Sequence, residues 1–138
     1  MKRLIMHSIL AAAALGAVAG IASAQSVTAE IPFAFRASHT LLQPGSYDLA
    51  RIRTASAVVF SLRSRDNGAS VFLMNYGGHD PDQGGVKAGA AKLGFTCSEG
   101  HCALQELWTA EGSSYRFVVP KHDRGEAREI ALTRSPRN

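Results

Sequence analysis

Cys97 and Cys102 are the two cysteines of the chain, set in "KLGFTCSEGHCALQELW" with His101 against the second. Three chemistries suit such a cluster, and each can be tested by spacing. A thioredoxin-type redox pair wants two intervening residues at a helix start, whereas four residues stand here in a turn. Haem attachment places the histidine directly after the second cysteine, and His101 precedes it. Zinc needs four ligands, and Cys97, His101 and Cys102 supply three at spacings unlike those of a finger. A staple fits better. The residues between the cysteines contain Gly100 and suit a hairpin loop, which would set the two Cβ atoms opposite each other. In the chain-entropy picture so short a loop stabilises by only about 2 kcal/mol. The bond would therefore fix hairpin register more than hold up the fold.

The stretch "HDPDQGG" offers His79, Asp80 and Asp82. The two aspartates alternate as calcium ligands can. An EF-type loop also needs an oxygen ligand where Gly84 stands and a glutamate near its end, where Ala91 stands. The plainer reading is a solvated turn capped by its own Asp side chains. No Gly-x-Ser-x-Gly elbow and no phosphate-cradling glycine loop occurs, and no cofactor is implied. A small hydrolase or metal-dependent enzyme would have to bring the 79–89 loop together with the 97–102 hairpin tip. Arginines form the last pattern. Arg63 and Arg65 alternate on one strand, and Arg51 and Arg53 on the strand before it. Adjacent strands would join all four into one outward face able to hold an anionic cell-surface polymer through bidentate bonds. A solvated face that resists aggregation is the alternative.

These residues need elements to position them. The first 24 residues read as a secretory signal peptide: Lys2 and Arg3, an apolar run from Ile9 to Ile21, then Ala22-Ser23-Ala24 as the cleavage site. The expectation is an exported protein, periplasmic or extracellular, beginning at Gln25, with no transmembrane segment left after cleavage. Residues 25–138 would then form one domain. Without Lys2 and Arg3, 13 Lys+Arg face 11 Asp+Glu. A balance so near neutral, with no basic cluster interleaved with aromatics, argues against nucleic acid.

In the remaining chain apolar residues recur with a period near two, the strand signal. Val27, Ala29, Ile31, Phe33 and Phe35 share a face, interrupted by Pro32, which marks an edge or a bulge. Gln43-Pro44-Gly45-Ser46 and Asp66-Asn67-Gly68 read as turns. Ile52 is out of phase with Leu49, which suggests a bulge near Ala50-Arg51. In the second cysteine arm, Cys102, Leu104 and Trp108 fit one register and Leu107 the other. Ala127, Ile130 and Ala131 at helical spacing, among good helix formers, predict a short C-terminal helix. The expected fold is all-β: an antiparallel sandwich or partly open barrel of six to eight strands with that helix.

Two stretches carry a resemblance. "IPFAF…LLQPGSYDL" resembles an "IPF-x-F … LP-x-G-x-Y" signature, with Gln43 departing from it before Pro44. "KLGF…CALQELW" with "VVPKHDRGEARE" resembles a "KL-x-F … L-x-x-x-W … P-K-x-x-x-E" ending, from which the cysteine pair is a departure or variant. Both are similar to a group of small exported proteins numerous in soil bacteria such as acidobacteria, with no assigned function. The resemblance implies one exported β-rich domain. It brings no catalytic or binding residues with it.

Overall fold

The structure is a computed structural model, and it describes residues 26–79 and 91–134. The expected signal peptide, Asp80 and Asp82 lie outside the described residues. Twelve strands form among those described, the longer inner ones on alternating apolar positions: β1 Val27–Ile31, β2 Phe35–Ala37, β3 Thr40–Leu42, β4 Gly45–Arg53, β5 Val58–Ser64, β6 Ser70–Met74, β7 Gly77–His79, β8 Lys92–Ser98, β9 His101–Trp108, β10 Ser114–Arg116, β11 Glu126–Ala131 and β12 Thr133–Arg134.

They form two sheets. The first runs β12-β1-β4-β5-β6. The second runs β11-β8-β9-β10-β7, with β2 and β3 branching from β9. Neither sheet closes into a barrel, so the architecture is an all-β sandwich. All pairings are antiparallel except the short one between β2 and β9. More strands appear than the six to eight expected because chain corners divide the runs. At Pro32, which cannot donate to a ladder, the chain leaves the first sheet after Ile31 and joins the second at Phe35. Leu132 makes the reverse crossing between β11 and β12.

The inner faces meet in a core that supplies the main driving force, since each buried Leu or Phe is worth about 1.5–3 kcal/mol. Ala29, Ile31, Tyr47, Leu49, Phe60, Leu62 and Leu73 come from the first sheet. Phe35, Leu93, Phe95, Leu104, Leu107 and Phe117 come from the other side. Edge-to-face rings lock the layers: Phe35 on Tyr47 at 5.3 Å, and Phe60 on Tyr115 at 4.9 Å.

Two expectations are corrected. The predicted C-terminal helix is strand β11, paired residue for residue with β8 from Glu126↔Cys97 to Ala131↔Lys92. Helix-forming side chains lose here to the edge of β8, whose backbone groups need partners. Most of β11 is exposed, so an apolar helical stripe would have had little to bury against. The bulge expected near Ala50-Arg51 is absent, and β4 pairs with β5 without a break from Tyr47↔Ser64 to Arg53↔Val58. Ile52 is out of phase with the core because it faces outward, not because the strand slips.

The irregularity lies on β9 instead. Gly94 pairs with Glu106 and Phe95 with Leu104, so Gln105 is an extra residue. This bulge resolves the two registers of the cysteine arm: Cys102 and Leu104 face inward before it and Leu107 after it. The Gln105 carbonyl, freed from the ladder, accepts the Phe117 N–H at 2.9 Å.

Candidate functional site

Side-chain alternation on β4 decides where the arginines lie. Tyr47 and Leu49 point into the core, so Arg51 and Arg53, two and four residues past Leu49, fall on the same inner face. Arg63 pairs with Asp48 and therefore lies on the outer face. Arg65 also faces outward and is held by Asp48 at 2.8 Å. The four arginines expected on one surface are thus split into two pairs on opposite faces of the first sheet.

Arg51 pairs with Phe60, which pairs with Leu73, at the last row of the core. One row further, Arg53 pairs with Val58, which still packs against the edge of the core. An open cleft of about 600 Å³ forms at this mouth, lined by Arg51, Arg53, Thr54, Ser56, Ala57, Val58 and Asn75. Its floor is fixed locally. The Thr54 hydroxyl and N–H both bond to the Ala57 backbone, each at 3.0 Å, closing the β4–β5 turn. The Asn75 side-chain oxygen accepts the Gly77 N–H at 3.1 Å where the chain leaves β6.

The second sheet supplies the rim. The Arg51 guanidinium lies 5.4 Å from the centre of the Tyr115 ring, a cation–π contact worth about 0.5–1 kcal/mol at an exposed site. Glu111, in the turn after β9, has its carboxyl held below the usual range. Its own backbone N–H and the Thr109 hydroxyl do most of this, and the charges of Arg51 and Arg134 add to it. Arg51 is therefore partly engaged. The Arg53 side chain makes no ion pair or hydrogen bond among the described residues, and it is exposed.

Cys97 and Cys102 are bonded across the β8–β9 hairpin, with Cα atoms 4.0 Å apart and S–S at 2.10 Å. The ladder runs on past them to Ser98↔His101, so the turn itself is Glu99-Gly100, both at positive φ (50° and 83°), as a type I′ hairpin turn requires. This tip does not converge with the start of the 79–89 loop. The His79 backbone pairs with Ser114, which pairs with Trp108. Trp108 and His101 stand at opposite ends of β9, a separation of about 23 Å at ~3.3 Å per residue. Among the described residues no three His, Cys, Asp or Glu side chains gather as a metal site requires, and no helix is long and apolar enough to cross a membrane.

Sequence reasoning missed one cluster. After Phe117, which is in the core, residues 121–125 lie against the outer face of the second sheet. This segment buries Asp123, whose Oδ2 lies 3.3 Å from the Arg36 Nε, and its Gly125 N–H bonds to the Thr96 hydroxyl at 2.6 Å. Arg36, Ala103 and Thr96 form one cross-strand row beneath it. No periodicity in "PKHDRG" signals such a strap. Comparison with protein-family models, curated proteins and solved structures finds no match to this chain.

Proposed function

We propose that the chain is an exported, non-enzymatic binding module that holds an anionic polymer of the periplasm or cell surface in the cleft of Arg51 and Arg53. One observation carries this reading. A guanidinium with no partner among the described residues stands beside a second one in an open cleft at the mouth of the sandwich. A planar guanidinium matches carboxylate, sulfate or phosphate groups bidentately, and Tyr115 holds its neighbour in place. The signal-like N-terminus and the resemblance to small exported proteins support the location.

The test is retention on an immobilised acidic polysaccharide. Binding should weaken as salt rises. Arg51→Glu with Arg53→Glu should abolish it, while Arg63→Glu, on the opposite face, should leave most of it. Loss through Arg63→Glu alone, or retention in the cleft variant, refutes the assignment. For the location, the exported fraction should contain a chain beginning at Gln25, and its absence there would count against export.

A further inference from the structure

We propose that the edge of β6 is a pairing surface for a second copy of this chain. The fold treats its sheet edges unequally. At the far side of the first sheet, β12 carries Arg134. In the second sheet, β11 carries Glu126, Arg128 and Glu129, and the branching β3 is three residues long. Short length and charge are the usual protections against edge-to-edge pairing. β6 has neither. It is five residues, Ser70–Met74, without charge or proline, and among the described residues only β5 pairs with it.

The outward side chains make the same point. Phe72, Met74 and Tyr76 follow at every second position and are 61%, 71% and 71% exposed. Met74 lies beside Val59, and Val59 beside Ile52, itself 39% exposed, so the apolar stripe extends inward across the sheet. Exposed aromatics gathered beside an open edge mark an interaction surface.

Symmetry and charge select the occupant. An antiparallel pair of β6 strands centred on Phe72 sets Phe72 against its own copy and Ser70 against Met74. Cross-strand aromatic pairs favour such a ladder. No charge stands at the seam. Arg63 and the Asp48–Arg65 pair lie at least one strand back, so the net positive charge of the molecule does not oppose contact at this edge. A copy of β6 therefore meets every requirement the edge sets: an uncharged ladder with an apolar outer stripe.

Sedimentation of the purified protein over a range of concentrations tests this. The mass should rise from one chain to two. Phe72→Lys sets two ammonium groups face to face and should weaken the dimer at least about tenfold. Phe72→Cys should form an intermolecular disulfide under mild oxidation, whereas Leu41→Cys, exposed on β3, should not. The cross-link decides the matter if Phe72→Lys fails to fold. A single-chain mass at every concentration overturns the proposal, including the case in which the edge serves an extended segment of another protein. So does a dimer indifferent to Phe72→Lys, or one that Phe72→Cys leaves unlinked.

Discussion

Gly125 stands where a side chain has no room. A Cβ there would collide with the carbonyl oxygen and carbon of Cys97, which are backbone and cannot rotate away. Gly125→Ala should therefore cost about 1–3 kcal/mol, read as a lower urea midpoint with an unchanged slope. A neutral outcome would mean that the strap over β8 yields easily. Glu111 allows a prediction in pH. Its folded carboxyl titrates below the usual range, so its contribution to stability is complete above the unfolded carboxylate value of about 4.3 and is lost as pH falls through the lowered folded value. The stability difference between the protein and Glu111→Gln should be constant near neutrality and vanish in acid. In an NMR titration Arg51→Gln should move the Glu111 midpoint upward, and an unmoved midpoint would remove Arg51 from its surroundings. The arginines also show how much of the site was legible. Their types and spacing mark a candidate anion site directly from the sequence. Their grouping was misread because one outward Ile52 suggests a bulge, and a bulge reverses the face of every later residue on the strand. Unbroken alternation from Tyr47 would have placed Arg51 and Arg53 inward.

At the level of elements, the strands and turns were readable because each apolar face must be covered, and burial imposes the period of two. What sequence could not supply was the competition between elements. β11 is strand because β8 presents a free edge to it, a fact held by residues about thirty positions away. The bulge on β9 is similar. Leu104 and Leu107 are three apart, yet both face the core, because Gln105 absorbs one residue. Two deletions separate this account from a merely tolerant strand. Removing Gln105 should keep both leucines inward and the disulfide formed. It should cost about 1 kcal/mol, through the lost acceptor for the Phe117 N–H. Removing Ala103, in the regular part, must turn either Cys102 or Leu104 outward. That loses the crosslink or a buried leucine, at least about 2 kcal/mol in either case. Urea midpoints with thiol counts measure both. Equal costs would show that the bulge does not reconcile the two faces.

For the whole molecule, the cleft and the β6 edge become connected through geometry. An antiparallel β6 pair has its two-fold axis normal to the joined sheet, so the inner faces of both copies point the same way. Arg51 and Arg53 lie on that inner face at the Met74 end of β6. Dimerisation thus opens two clefts on one side, at opposite ends of a continuous sheet. A polymer carrying repeated anionic groups can occupy both, and the second engagement becomes intramolecular, raising apparent affinity by about a hundredfold or more when the span is suitable. A single sugar acid gains nothing from the second cleft. Phe72→Asn, which breaks the seam without altering charge, should therefore bind a monomeric sugar acid as the parent does and the polymer at least about tenfold more weakly. Arg53→Gln should weaken binding to both ligands. Titration of each variant against the monomeric acid and the polymer measures the difference. Polymer affinity unchanged by Phe72→Asn would mean that each cleft acts alone, whatever the oligomeric state.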